Sequence, residues 1–378
     1  MISKLPNASV SIFAKMTQLA IENNAVNLAQ GFPDFPCPPR LQELLSIASQ
    51  RGFNQYSAMP GYLPLREWIA QHLESTYHVK IDPIHEITIS AGATQGLFSI
   101  ISAFVGTNDK VIVFEPAYDS YGPAIVLQGG IPIYIRMREP EFDIPWDELE
   151  IVLRTQKIKM IMVNNPHNPT GTIWTMQDFI RLSDLCRDQN IILLTDEVYD
   201  SMVYDHQYHI SGLQLKNYFE HIISCFSFGK TLHNTGWKIG YNIASEALTK
   251  EIRKVHQFMI FSVHYPSQVA IAEFLQENPN FIQEIKNFYE QKRNDFYSIM
   301  DTSKFHFLPT KASYFSLAKV PDAKLNTMDY AVQLCKEKAV ATIPLSAFYH
   351  DHYDPHLIRF CFAKKNETMI SAAQNLIN

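Results

Sequence analysis

Cysteine is scarce in this sequence, and its spacing fits neither a cross-linked nor a zinc-bound fold. The 378 residues include five cysteines, at positions 37, 186, 225, 335 and 361. They form no C-x-x-C pair and their number is odd, which argues against a disulfide framework and a zinc site. The histidines, including His206 with His209 and His350 with His352, show no metal-ligand spacing, so we expect them at the surface and predict no metal.

Positive charge and long apolar runs are also lacking. The net charge is -6, which leaves no basic field for nucleic acid or an anionic membrane. No apolar run approaches the length needed to cross a bilayer, and the N-terminus has no charged segment followed by an apolar one. With the unpaired cysteines, this predicts a reducing cytoplasm and small-molecule partners.

Two phosphate-binding fingerprints are missing. No G-x-G-x-x-G occurs, so a nicotinamide or flavin role loses most of its support. Gly229-Lys230-Thr231 resembles the end of a P-loop, but that motif needs a glycine six residues before its lysine, where Ser224 stands. The P-loop interpretation therefore fails.

The order of apolar runs predicts an α/β protein with two domains. Strand-like runs at 86–90, 110–114, 160–163, 191–195 and 222–226 alternate with helical segments, which implies a mainly parallel sheet between helices. From residue 275 the pattern changes to a charged helix at 281–300 and strand-like runs at 314–317 and 357–362, typical of a smaller α+β domain. We expect an N-terminal arm and part of the small domain at 1–38, a large domain at 39–274 and a small domain at 275–378.

Lys230 is the residue around which the chain is organised. It follows the apolar run 221–226, and catalytic side chains gather at such strand ends in open α/β sheets. A lysine there can be a nucleophilic amine that forms a Schiff base with an aldehyde cofactor, with the hydroxyl of Ser227 turned toward the phosphate of that cofactor. An ordinary solvated lysine is the alternative.

Residues 91–94, Ala-Gly-Ala-Thr, lie between a predicted strand and a helix. Free amide groups and the helix dipole make this turn an anion site, with the Thr94 hydroxyl as a further donor. A plain strand-to-helix turn is the alternative.

Three polar side chains follow two other strands. Asn168 lies in a loop that two prolines and a glycine make rigid, and its amide is a positioned donor or the side chain of a structural turn. Asp196 ends a buried strand, where a carboxylate needs a partner, either a protonated pyridine nitrogen or an arginine. Tyr199, three residues later, is placed to donate to a phenolic oxygen of the same ring.

Two further residues complete the candidate site. Tyr118 follows the strand at 110–114 and either stacks on a flat ring or packs in the core. Arg359 interrupts an apolar strand, where it pairs bidentately with a substrate carboxylate or forms a salt bridge to a distant acid.

In this order, these pieces resemble the pyridoxal-phosphate-dependent class I aminotransferases of fold type I. Within that family the chain most resembles the kynurenine aminotransferase and glutamine transaminase K group, and bacterial methionine aminotransferases in particular. The resemblance spans nearly the whole chain and implies a large domain with a mainly parallel seven-stranded sheet. The matching segments are 27–35, 165–171, 196–199, 227–231, 236–240 and 358–360.

The resemblance also implies a role for each candidate residue. Lys230 is the Schiff-base lysine, Asp196 contacts the pyridine nitrogen, and Asn168 with Tyr199 contacts the phenolic oxygen. Gly31 with Asn168 and Arg359 holds the substrate carboxylate. The residues around the ring and its phosphate are Ala93, Thr94, Tyr118, Ser227 and Lys238.

Relatives of this kind are two-fold dimers with the site at the interface. The resemblance implies that Tyr56 reaches the phosphate in the other subunit and that Phe261 and Ser262 border the neighbouring site. Two departures stand out: Lys238 replaces the arginine of many relatives, and Phe13 stands where some have tryptophan. We expect Phe13 and Tyr62 near the substrate side chain.

The expected activity is transfer of the amino group of a large neutral amino acid, methionine first, then aromatic amino acids or histidine, to a 2-oxo acid. Residues 255–265 contain no arginine for a second carboxylate. One alternative is β-elimination from cysteine S-conjugates, as in kynurenine and glutamine transaminases. Another is a ligand-sensing domain of aminotransferase fold, which we disfavour because such domains follow a DNA-binding module and here the fold begins within the first thirty residues.

Overall fold

The computed structural model describes residues 3–6, 10–187, 189–321 and 324–377, with every side chain in these ranges except those of residues 216 and 217. Its strands are β1 (Val26–Asn27), β2 (Ile87–Ser90), β3 (Lys110–Glu115), β4 (Ile131–Arg136), β5 (Ile158–Asn164), β6 (Ile192–Asp196), β7 (Ile222–Ser227), β8 (Gly240–Ala244), β9 (His306–Phe307), β10 (Phe315–Lys319), β11 (Val340–Ala341), β12 (Ile343–Pro344) and β13 (Leu357–Cys361).

The α-helices in the same ranges are α1 (Ile12–Glu22), α2 (Pro39–Gln50), α3 (Leu63–Tyr77), α4 (Gly92–Phe104), α5 (Tyr121–Leu127), α6 (Trp146–Thr155), α7 (Met176–Arg187), α8 (Phe228–Thr231), α9 (Glu246–Met259), α10 (Tyr265–Glu277), α11 (Phe281–Met300), α12 (Thr327–Lys338) and α13 (Asn366–Ile377). Short 3-10 helices are formed by Gly212–Gln214, Lys216–His221, Thr235–Trp237 and Leu345–Phe348. No helix of the described ranges is both long and apolar enough to span a bilayer.

A seven-stranded sheet forms the centre of the larger part of the chain. Its order is β2-β8-β7-β6-β5-β3-β4, and β8 alone runs antiparallel to its neighbours. Successive residues of β6 belong to different hydrophobic cores. Leu193 and Leu194 are both fully buried, but they pack on opposite faces of the sheet. Burial on both faces explains the continuous apolar runs of the sequence. The predicted α/β class and the mainly parallel seven-stranded sheet are confirmed.

The strands β2, β3, β5, β6 and β7 run in the same direction. Their carboxyl ends therefore lie along one edge of this sheet. The loops and helix starts that follow these strands carry the predicted polar residues. Ligands bind in open α/β sheets at such an edge.

The C-terminal part contains a second, antiparallel sheet with the order β12-β13-β10-β9. A separate parallel pair joins β1 to β11, with Val26 opposite Val340, so the N-terminal arm is tied to the C-terminal part of the chain. This arrangement brings Arg359 on β13 toward the large sheet. The division at residues 38 and 274 stays a prediction.

Candidate active site

A cavity of about 330 Å³ lies at the carboxyl ends of the parallel strands. Every predicted site residue lines it except Tyr56, Tyr62, Phe261 and Ser262. The lining residues are Phe13, Gln30, Gly31, Gly92, Ala93, Thr94, Leu97, Tyr118, Tyr121, Asn164, Asn168, Asp196, Val198, Tyr199, Ser227, Gly229, Lys230, Thr235, Lys238, Ile239, Phe315 and Arg359.

Lys230 lies in the single-turn helix α8, directly after β7. Its Nζ donates to the Gly31 carbonyl over 3.4 Å and lies 5.6 Å from the ring centre of Tyr199. No carboxylate of the described residues is within ion-pair distance of this amine. Burial lowers the pKa of Lys230 to about 8, so about a tenth of the amine is neutral and nucleophilic at pH 7, far more than for an ordinary lysine.

Asp196 ends β6 and is almost fully buried. Burial raises the pKa of this carboxyl to about 6, and a hydrogen bond from Tyr121 opposes the shift. Tyr121 Oη donates to Asp196 Oδ2 over 2.6 Å. The arginine partner considered from the sequence does not occur within the described residues, so the carboxylate has room for a cationic ligand.

Arg359 is 1% exposed and has no acidic partner in the part of the chain that is described. Nη1 donates to Asn168 Oδ1 over 2.8 Å and Nη2 donates to the Ala29 carbonyl over 2.9 Å, while Nε is buried without a partner. Phe315 lies under the guanidinium at 3.8 Å. Burial lowers the pKa of Arg359 to about 10. A buried guanidinium with an unused donor fits a carboxylate ligand.

The start of α4 forms a cradle for an anion. Gly92 has a φ of +75°, and a Cβ added there would lie 3.2 Å from Lys238 Nζ. Lys238 itself adopts a left-handed conformation, with a φ of 55°, which turns its side chain to this helix start. Amide groups at a helix N-terminus and an ammonium group together favour a phosphate. Ala93, Thr94 and Ser227 line the same cavity.

Tyr118 and Tyr199, the two predicted tyrosines that line the cavity, are neutral donors. Burial raises the pKa of Tyr118 and, more strongly, of Tyr199, so both hydroxyls keep their protons at neutral pH. The ring of Tyr199 meets that of Tyr314 edge-on at 5.2 Å, and Tyr314 Oη donates to the Gly31 carbonyl over 2.6 Å. These contacts fix the side of the cavity nearest Lys230.

The loop that carries Asn168 is fixed to the neighbouring strand. Asn164 Oδ1 accepts a hydrogen bond from the Asn168 backbone N–H at 2.7 Å, and Asn164 Nδ2 donates to the Asp196 carbonyl over 2.9 Å. Asn164 therefore sets the position of Asn168 beside Arg359.

The remaining predicted residues lie on a different surface. Tyr56 is 81% exposed and meets Phe261 edge-on at 5.4 Å. Ser262 Oγ accepts a hydrogen bond from the Ser57 backbone at 2.9 Å. Tyr62 is half-buried, with Tyr265 at 5.6 Å. One chain therefore does not bring these residues into the cavity.

The sequence does not single out several lining residues, including Gln30, Tyr121 and Phe315. Tyr121 is three residues beyond Tyr118 and is the first residue of α5. Its position shortly after a strand end is the sequence feature that could have identified it as a site residue. Phe315 belongs to a predicted strand, but nothing local indicates that its ring stacks on Arg359.

The prediction that the histidines lie at the surface is wrong for three of them, since His167, His209 and His256 are buried. The His209 side chain is 3% exposed and its Nε2 pairs with the buried Glu197 carboxylate at 2.7 Å, because the charge of Glu197 inside the fold needs a partner. Within the described residues, Glu115, His350 and Asp351 approach each other closely enough for a metal. Both oxygens of Glu115 already accept hydrogen bonds from His350, and Asp351 pairs with Arg136 at 2.8 Å. These interactions explain why the three side chains lie close together without a metal.

The chain is similar to known aminotransferases over nearly its whole length. The model of the family described as aminotransferase class I and II matches residues 23–376. Methionine aminotransferase of Escherichia coli (strain K12) is 40% identical over 375 residues, which cover 99% of this chain and 97% of that protein. Human kynurenine–oxoglutarate transaminase 1 is 30% identical over 408 residues, covering 99% and 96%.

Solved structures agree with this relationship. The structure of YbdL from Escherichia coli, identified as having a methionine aminotransferase function, superposes with a TM-score of 0.96 at 41% identity and covers 100% of this chain and 99% of that chain. N-succinyldiaminopimelate aminotransferase from Mycobacterium tuberculosis superposes with a TM-score of 0.93 at 29% identity, covering 100% and 99%.

Enzymes of this family depend on pyridoxal phosphate, and the cavity fits that group. The cradle between Gly92 and Lys238 suits its phosphate. Asp196, without a cationic partner among the described residues, suits a protonated ring nitrogen, and the amine of Lys230 suits an aldehyde. The chain belongs to the class I and II aminotransferases and is a pyridoxal-phosphate-dependent enzyme.

Proposed function

We propose that this aminotransferase acts on large neutral amino acids, with methionine first and phenylalanine, tyrosine or histidine next. The observation that carries the proposal is that Arg359 is the only arginine among the residues lining the described cavity. It suits the α-carboxylate, and a second carboxylate would enter without a guanidinium partner. The methionine aminotransferase and kynurenine transaminase relatives support the same substrate class.

Aromatic surface surrounds the substrate end of the cavity. Phe13 lies 5.3 Å from the Arg359 guanidinium, and its ring meets Phe348 edge-on at 6.0 Å. Sulfur-to-aromatic contacts contribute about 0.3 to 1.5 kcal/mol each, which favours methionine over a branched aliphatic side chain of similar size. A hydrophobic pocket separates near-isosteres only weakly, so the specificity is broad.

The proposed mechanism assigns each step to a residue of the cavity. Pyridoxal phosphate, when bound, supplies the aldehyde and the electron sink for the reaction. Arg359, fixed by Asn168 and stacked on Phe315, orients the substrate through its α-carboxylate. Lys230 Nζ then takes the proton from the substrate α-carbon, which its lowered pKa permits near neutral pH.

The other predicted residues have supporting roles in this proposal. The Asp196 carboxylate holds the proton of the ring nitrogen. Asn168 and Tyr199 donate to the phenolic oxygen, Tyr118 stacks on the ring, and Gly31 helps to hold the substrate carboxylate. The phosphate is bound by Ala93, Thr94, Ser227 and Lys238.

The same proposal includes a homodimer. Phe258 is 87% exposed at the end of α9, and the next residues, Met259, Ile260 and Phe261, are also exposed apolar side chains beside Tyr56. A contiguous apolar surface of this kind suits a second copy of the chain. Tyr56 then reaches the phosphate of the neighbouring subunit, and Phe261 and Ser262 border its cavity, with Tyr62 nearby.

The proposal also includes a cellular location and an alternative activity. All five cysteines are free thiols, which supports the expected cytoplasmic location. β-Elimination from cysteine S-conjugates stays the alternative activity, and release of pyruvate without an amino acceptor would reveal it.

A half-reaction screen tests the substrate proposal. The enzyme loaded with pyridoxal phosphate is mixed with each of twenty amino acids, and the loss of cofactor absorbance gives a specificity constant for each. We expect methionine to lead and aspartate and glutamate to be among the slowest. A higher constant for aspartate or glutamate than for methionine and phenylalanine would overturn the proposal.

A further inference from the structure

Tyr121 makes a short hydrogen bond that the proposed mechanism does not use. It is the first residue of α5, its side chain is buried, and its Oη lies 2.6 Å from Asp196 Oδ2. The bond joins the start of α5 to the end of β6, and both residues line the cavity. It is therefore part of the site and not a remote structural contact.

The bond has a fixed direction. Burial raises the pKa of Tyr121 well above its ordinary value, so the tyrosine keeps its proton and is the donor. The second oxygen of the carboxylate, Oδ1, has only a long contact of 3.4 Å from the Val198 backbone N–H. One oxygen is thus held by the protein, and the other keeps most of its capacity to accept.

Few other groups can support the charge of Asp196. No described cation forms an ion pair with it, and Lys230 favours the ionised form only through a weaker, longer-range interaction. Glu197, the next residue, opposes ionisation. The titratable groups that act on Asp196 or respond to its charge are Tyr118, Tyr121, Glu197, Tyr199, Cys225 and Lys230. Of these, Tyr121 makes the direct hydrogen bond.

We propose that Tyr121 is a positioning residue for Asp196: its hydroxyl fixes Oδ2, keeps the carboxyl ionised and leaves Oδ1 for the ring nitrogen of pyridoxal phosphate. The proposal rests on the role proposed above for Asp196. It predicts that cofactor affinity depends on the Tyr121 hydroxyl specifically through the charge of Asp196.

A second buried tyrosine provides a matched control. Tyr218 Oη donates over 2.7 Å to the backbone carbonyl of Ile191, just before β6. Y218F removes a buried tyrosine hydroxyl beside the same strand but leaves the Asp196 carboxylate untouched. A general loss of packing or hydrogen bonding would affect both variants, whereas the proposed role affects only Y121F.

The experiment measures the affinity of apo protein for pyridoxal phosphate across pH, by quenching of intrinsic fluorescence, in wild type, Y121F and Y218F. In Y121F the Asp196 carboxyl loses its hydrogen-bond donor, so its pKa rises. The pH below which the affinity for pyridoxal phosphate declines therefore moves up by about one unit in this variant. It stays in place in Y218F. In a D196N background, where no carboxylate remains to be held, adding Y121F leaves affinity unchanged.

The outcomes separate this proposal from the proposed function. One outcome is that affinity declines at the same low pH in Y121F as in wild type, while D196N loses cofactor affinity. In that case Tyr121 has no positioning role and the role of Asp196 stands. If D196N retains wild-type affinity and turnover, the role of Asp196 is wrong as well. Should Y121F fail to fold, Y121F/D196N decides: a folded double variant supports the proposal, and an unfolded one overturns it.

Discussion

Asn168 Oδ1 accepts a hydrogen bond from Arg359 Nη1 at 2.8 Å, which joins residues separated by 191 positions in the chain. Asn168 belongs to the loop after β5 of the large sheet, and Arg359 belongs to β13 of the antiparallel sheet. The two sheets therefore meet at the proposed carboxylate site. The orientation of the guanidinium depends on both.

Replacing Arg359 with lysine should weaken substrate binding more than turnover. A lysine keeps the charge but loses the planar fork, and hydrogen bonds to charged groups contribute about 1.5–3 kcal/mol, so KM should rise roughly ten- to a hundred-fold. Steady-state kinetics with methionine measure this. With the carboxamide of methionine, which carries no carboxylate, the effect of the substitution should largely disappear, and an equal effect on both would contradict the assignment.

Gly31→Ala should disturb the same site through packing. A Cβ at Gly31 would lie 2.8 Å from Phe315 Cζ, so the ring that stacks on Arg359 must move. Overpacking of this kind costs about 1–3 kcal/mol, and we expect a lower melting temperature together with a higher KM. Gly106→Ala is the control, because its nearest atom is 3.6 Å away, at Asp109 Oδ2. Equal KM values for both variants would count against the packing account.

The rate at which apo protein captures pyridoxal phosphate should follow the neutral fraction of Lys230. Burial lowers the pKa of this amine to about 8, so the capture rate should rise with pH through a midpoint near 8 and level off about one unit higher. The folded protein binds fewer protons than the unfolded chain between this value and the ordinary one near 10.4, so Lys230 should make apo stability rise with pH in that window. Stopped-flow absorbance measures the rate. A midpoint near 10.4 would contradict the burial argument.

Tyr56 should act in the cavity of the partner subunit. Mixed dimers of Lys230→Ala and Tyr56→Phe contain one site with both defects and one site with neither, so activity should exceed that of either variant alone. Tyr208→Phe, another highly exposed tyrosine substitution, should keep activity by itself. Exchanged mixtures that regain nothing would show that Tyr56 does not serve the neighbouring site.

The sequence predicts Lys230 and Asp196 because their signals are local. Asp196 ends β6 and Lys230 follows β7. Both strands are buried on two faces and read as nearly continuous apolar runs, so a polar side chain at the end of such a run is conspicuous. The paired strands β6 and β7 then bring the two residues to the same edge of the sheet. Anion binding at Gly92 is local for the same reason, since a strand leads directly into a helix there.

Other features are not local, and the sequence does not predict them. Pro132 in β4 argues against a strand, but β4 is the edge strand, where a missing amide donor is tolerated. β8 begins with Gly240 and buries Asn242, so it lacks an apolar run. Tyr121 meets Asp196 across 75 positions, a contact that only tertiary packing creates.

The central claim is that Lys230 is the residue that carries pyridoxal phosphate. Treating the loaded enzyme with borohydride makes the link permanent, and peptide mapping then locates it among the lysines of the chain. The account predicts a pyridoxyl label on Lys230 and its complete loss in Lys230→Ala. A label on any other lysine of the wild-type chain, such as Lys238, would contradict it.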